Sequence, residues 1–260
     1  MCCVLTFSCE LPLAGLTLAQ WLLTIGVVAF SGFLRGFLGF GSSMIIVMVM
    51  SAMLGPLAAV PIAGLAGLLA TVQLVPTAIK HGERDFILIF SLACFAAAPF
   101  GAWVLVVINP TYLNIIISVL VLIMTGMMYS GWRMRDVHDR RVFFFVGFTA
   151  GVLQGGAAIG GPAAVAVALA RPGKVERQRG NVVGGTNALV LCVMPAFAYL
   201  ELYTQDVLII GTSMAPVYWG MTTVGALYFN AGGKDLYRHA ALLALVLTGL
   251  ITLGYAVIKI

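Results

Sequence analysis

The chain has 260 residues, 62% hydrophobic and 9% charged, with a mean hydropathy of +1.08 and a formal net charge of +5. A soluble domain carries about 25% charged residues, so a water-soluble globule of this composition would leave apolar surface with nowhere to go. Apolar runs of about 20 residues recur along the whole length, and they read as a polytopic α-helical membrane protein. The positive charge does not point to nucleic acid. Twelve of the fourteen Lys and Arg residues sit in four loops. Lys80 and Arg84 lie in the first; Arg133, Arg135, Arg140 and Arg141 in the second; Arg171, Lys174, Arg177 and Arg179 in the third; Lys234 and Arg238 in the fourth. This is the pattern of cytoplasmic loops under the positive-inside rule. Only Arg35 and the C-terminal Lys259 are left over.

In chain order, residues 1–20 form a mixed, weakly amphipathic lead that carries Cys2, Cys3 and Cys9. It has no basic n-region and no A-x-A site, so the first helix is expected to be retained. Ten apolar segments follow: 22–34, 43–54, 57–79, 86–108, 112–131, 142–154, 162–170, 182–200, 207–229 and 240–258. Cys94 and Cys192 lie inside apolar segments with no ligand spacing around them. Neither a disulfide framework, a metal site nor a cofactor is implied. Segment 142–154 covers only ~20 Å at 1.5 Å per residue, against a hydrocarbon core of ~30 Å, and 162–170 is shorter still. A helical hairpin that dips into the membrane and returns explains both, with its tip at Gly155-Gly156-Ala157-Ala158-Ile159-Gly160-Gly161-Pro162. Irregular backbone at that depth is tolerated only inside protein or beside a water-filled cavity.

The hairpin has an echo. Gly32-Phe33-Leu34-Arg35-Gly36, running on to Gly41, recurs 119 residues later as Gly151-Val152-Leu153-Gln154-Gly155, running on to Gly160. Pro76 and Pro195 keep the same offset, and Pro99 and Pro216 each interrupt the fourth segment of a half. With the four basic loops inside, the connections near 55–56, 109–111 and 201–206 fall outside and no loop is left over. Five segments per half, an odd number, then make the repeats inverted. The expected fold is all-α: two inverted five-segment repeats, each opening with a short broken-helix hairpin. The first membrane repeat is 1–131, the cytoplasmic linker 132–141 and the second repeat 142–260. Inverted repeats with discontinuous helices mark secondary transporters, whose substrate site lies near the midplane.

Arg35 is the sharpest candidate for chemistry. It could snorkel from a full-length first helix to the surface. Measured through its counterpart Gln154, it instead lies about thirteen residues, or ~20 Å, deep along its helix, and faces a substrate. No Asp or Glu falls within an apolar segment to pair with it, so the missing counter-charge could be an anion. Gly39, Gly41, Gly160 and Gly161 fall where the hairpins turn. They serve either as close-packing positions or as an anion cradle of exposed N–H groups and helix N-termini. Ser42 and Ser43 open the return helix of the first half, and Pro162 suits the first turn of the second. Gln154, Thr186 and Asn187 are the polar side chains most apt to supply neutral donors. Gln73, Asn181, Tyr218, Thr222 and Thr223 read as structural. The Asp/Glu relay of proton- or sodium-coupled carriers is missing. An exported anion does not need one, since each charge leaving a negative interior gains ~2.3 kcal/mol per 100 mV.

The paired Gly-rich segments at 32–43 and 151–162, the short basic loops and Asn181-Val182-Val183-Gly184-Gly185-Thr186-Asn187 resemble the TauE/SafE family of sulfite exporters over nearly the whole chain. The resemblance implies transport of sulfur-containing anions (sulfite, sulfoacetate, other organosulfonates) by a multi-pass protein of the bacterial inner membrane. It carries over no fixed site residues. The expected partners are a small anionic substrate and the lipid bilayer, not nucleic acid; the oligomeric state stays open. A carrier or channel for another small solute is the alternative. A membrane enzyme would need titratable groups facing a membrane cavity, and none is found besides Arg35.

Overall fold

The computed structural model describes residues 18–107, 140–170 and 174–233, with the single positions Tyr237, Ala240 and Leu243. The expected segment 112–131, nearly all of 240–258, the loop 109–111, the N-terminal lead 1–17 and most of the linker 132–141 lie outside them. Among the described residues the fold is all-helical. The helices are α1 (Leu18–Leu38), α2 (Ser42–Leu54), α3 (Pro56–His81), α4 (Arg84–Val107), α5 (Arg140–Ala157), α6 (Gly161–Ala170), α7 (Val175–Tyr199) and α8 (Gln205–Tyr228), followed by a wide turn over Phe229–Gly233. In an apolar solvent every backbone N–H and C=O must be satisfied within the segment, which leaves the helix as the default. The hydroxyls obey the same constraint: those of Thr24, Thr71, Ser91 and Thr222 each donate to the carbonyl four residues back.

Among the described residues five helices are long and apolar enough to cross a membrane: α1, α3, α4, α7, and α8 with its following turn. Their outward side chains include Leu22, Phe30, Leu92, Phe100, Trp103 and Leu227, all exposed. Water would penalise such a surface; lipid does not. α3 and α7 are the most enclosed of the five. They pack on one another at the centre, with α1 alongside α8 and α5 alongside α4. The first expected segment, 22–34, is longer than its apolar run suggested. α1 extends from Leu18 through Arg35 and Gly36 to Leu38, 21 residues, because buried polar groups with partners do not end a helix. α5 likewise reaches 18 residues. α7 starts seven residues before the expected 182.

Two helix pairs use the same packing device. A Cβ on Gly32 would meet the Tyr218 carbonyl at 2.6 Å, and one on Gly36 would collide with the Thr222 carbonyl. In the other pair, Gly151 would meet the Cys94 carbonyl at 2.8 Å and Gly155 the Ala98 carbonyl at 2.5 Å. Gly225 and Gly101 return the contact, against Phe33 and Val152. Glycines four apart let the backbones touch, and the registers rise together, so α1 runs parallel to α8 and α5 parallel to α4. In this register α4 and α8 correspond at an offset of 124 (Cys94 to Tyr218, Ala98 to Thr222), whereas Pro99 and Pro216 are 117 apart. The two prolines do sit inside α4 and α8, but about two turns out of step, so they are not equivalent positions.

Candidate functional site

α1 and α2 are separated by a break at residues 39–41, and α5 and α6 by one at 158–160. The two breaks, again 119 residues apart, each begin with a left-handed residue. Gly39 takes φ +89° and donates its N–H to the Arg35 carbonyl at 2.9 Å; Ala158 takes φ +58° and donates to the Gln154 carbonyl at 2.9 Å. A left-handed residue with this bond is a standard helix stop; in the second break the Ile159 N–H adds a longer bond to the Leu153 carbonyl at 3.3 Å. Glycine adopts it freely, while alanine bears a steric cost of about 1 kcal/mol. Gly41, at φ +85°, then precedes α2 with no side-chain cap on the helix N-terminus.

The breaks meet. Ser43 Oγ donates to the Ala158 carbonyl at 3.0 Å. A Cβ on Gly161 would stand 3.7 Å from Phe40 Cβ and 3.9 Å from Gly41 N. The N-termini of α2 and α6, the positive ends of their dipoles, therefore come together at one place. Gly160 is tightly packed against the Ala150 carbonyl and Leu189, and its N–H is bonded to Gln154 Oε1 at 3.1 Å. Gly41 has open space around it, and Gly161 makes ordinary van der Waals contact. Ser42 Oγ is bonded to the Tyr218 hydroxyl from mid-α8.

Arg35 is only 4% exposed and does not snorkel. Its Nη2 donates to Asn187 Oδ1 at 2.9 Å, and Asn187 Nδ2 in turn donates to the Thr71 carbonyl of α3 at 3.1 Å. Arg35 Nε is buried without a partner, and so is the hydroxyl of Ser31, one turn earlier on the same face of α1. Thr186, beside Asn187, donates to the Gly39 carbonyl at 2.7 Å. One turn of α7 thus holds both the cation and the break next to it.

Sequence reasoning misplaced Arg179. Counted there with the basic loop 171–179, it lies on α7 and is 4% exposed. Its Nη2 and Nε donate to the carbonyls of Gly36 (2.6 Å) and Phe37 (3.2 Å), and the guanidinium lies 4.1 Å over the Phe229 ring. A helix leaves four C-terminal carbonyls without partners. In α1 the Arg35 carbonyl goes to Gly39 N, Gly36 and Phe37 go to Arg179, and Leu38 goes to the Tyr237 hydroxyl at 3.1 Å. The clue in the sequence is spacing: Arg179 lies two helical turns before Thr186, on the same face of a helix that starts earlier than its apolar run. Asn181, read as structural, joins Glu83 through a pair of hydrogen bonds at the α3–α4 turn. Gln73 donates to Thr223 at 2.8 Å.

A multi-pass helical bundle in which two helix breaks meet, with a buried arginine one turn from the first and no carboxylate bonded to it among the described residues, is an arrangement a membrane transporter can use. Residues 24–253 match the family model described as Sulfite exporter TauE/SafE, and the chain belongs to that transporter family. No match was found among curated proteins or among solved structures.

Proposed function

We propose that the protein exports small sulfur-containing anions, an organosulfonate such as sulfoacetate or sulfite itself, by alternating access between two inverted halves. The single observation that carries this reading is Arg35. It is buried one turn before the first break, bonds the neutral Asn187 side chain, and among the described residues leaves its Nε and the nearby Ser31 hydroxyl unpartnered. An arginine inside a membrane helix is costly, at about 2.5–3.5 kcal/mol on insertion scales. An oxyanion docking there offsets part of that cost by accepting from the guanidinium fork. The break positions Gly41 and Gly161 and the α2 and α6 N-termini add neutral donors, and Asn187, Thr186 and Gln154 hold the frame.

Support for two inverted halves comes from the matched parallel pairs. Arg84 opens α4 and Arg140 opens α5, so both start at the basic, cytoplasmic side and run outward together. α8 starts at the non-basic turn around 201–204, and α1, parallel to it, enters from the same outer side. The first hairpin therefore opens outward and the second inward in the bacterial inner membrane. Each half lends its first helix to the fourth helix of the other, so rocking one half displaces both breaks.

The test is efflux of sulfoacetate and of sulfite from loaded proteoliposomes. Arg35→Ala is expected to lower the rate about 100-fold, the loss of a charge-assisted contact, while the protein still inserts and elutes as the wild type does. Normal efflux from that variant would remove Arg35 from the site.

A further inference from the structure

A cavity of ≈ 430 Å³ opens where the C-terminal ends of α3 and α8 meet the N-terminal turn of α7. Its volume falls in the ~300–1,000 Å³ range of small-molecule sites. Among the described residues its walls differ in chemistry. Lys80, His81, Arg179 and Asn230 carry donors, Glu176 a carboxylate acceptor, and Pro76, Ala226 and Phe229 apolar surface. Arg179 forms part of the lining and at the same time holds the Gly36 and Phe37 carbonyls, the two residues that follow Arg35. Lys80 is exposed at the rim.

We propose that this cavity is a second anion site, a cytoplasmic vestibule that takes a small organic sulfonate before it reaches Arg35; the proposal rests on the export reading above. The sulfonate group faces Lys80 and Arg179, and its carbon body lies against Pro76 and Ala226. Lys80 recruits: it is a hydrated point charge on a flexible stem, and a cleft lined by fixed charge raises the local concentration of a counter-ion. Arg179 does a different job. Two of its nitrogens are committed to the end of α1, so a ligand that draws on its remaining donors loads the same side chain that pins the break.

Sulfoacetate is the probe, with the full-length protein in lipid nanodiscs for binding and in oriented proteoliposomes for efflux. Lys80→Gln is expected to raise KM on the basic-loop side about tenfold, one charge-assisted contact, with kcat within twofold, and Lys80→Arg should restore KM. Arg35→Gln should cut turnover about 100-fold yet keep a saturable sulfoacetate isotherm that Lys80→Gln, added to it, weakens about tenfold. An unchanged KM in Lys80→Gln together with an unchanged isotherm in the double variant overturns the vestibule. Normal turnover in Arg35→Gln would instead overturn the central site, and the Lys80 dependence of binding would still decide the vestibule on its own.

Discussion

The two helix breaks open with the same left-handed stop and differ in nearly every polar side chain; the first adds a second left-handed residue at Gly41, where its counterpart Gly160 is not left-handed. Arg35, Gly39, Ser42 and Ser43 in the first stand where Gln154, Ala158, Gly161 and Pro162 stand in the second. The second break closes on itself, with Gln154 accepting from the N–H of its own Gly160. The first is tied outward to α7 through Asn187, Thr186 and Arg179, and to α8 through Tyr218. The same stop signal thus frames a fixed cation in one copy and a neutral, self-satisfied turn in the other.

Three perturbations break or sharpen that comparison. The largest effect is expected at the helix contacts the copies share. Gly36→Val and Gly155→Val each force a side chain into a facing carbonyl, and overpacking of this kind costs about 1–3 kcal/mol or more. Both should lower the melting temperature in detergent by a similar amount; a large loss in one alone would deny that the two contacts are equivalent. Next comes Asn187→Leu against Gln154→Leu. The first strips the guanidinium of its partner and frees the Thr71 carbonyl, at about 2–3 kcal/mol for a buried charged group. The second frees one neutral N–H, at about 1 kcal/mol. Sulfoacetate efflux should drop in Asn187→Leu and be nearly kept in Gln154→Leu; the reverse order would assign the site to the second break. The smallest is Ala158→Gly, which gives the left-handed position the residue its counterpart already has. It should stabilise by about 0.5–1 kcal/mol, read as a small rise in melting temperature with efflux unchanged.

The sequence by itself determined the membrane class, the helical segments among the described residues, both break positions and the 119-residue echo. These follow from local rules: apolar length, glycine at left-handed positions, basic loops. It also singled out Arg35, because an arginine in an apolar run has no local explanation. Helix ends were less legible. Arg35 and Gly36 looked like the end of α1, and Arg179 looked like loop, because polar residues end apolar runs but not helices whose polar groups find partners. Only the tertiary structure decided where those partners are. Asn187 lies 152 residues from Arg35 and Arg179 lies 143 from Gly36, and no local pattern encodes such distances. It also separated Gly36 and Gly155, which are needed for backbone contact, from Gly41, which has open space around it. A glycine in sequence signals only that a side chain is absent; which neighbour requires that absence is a property of the packed bundle.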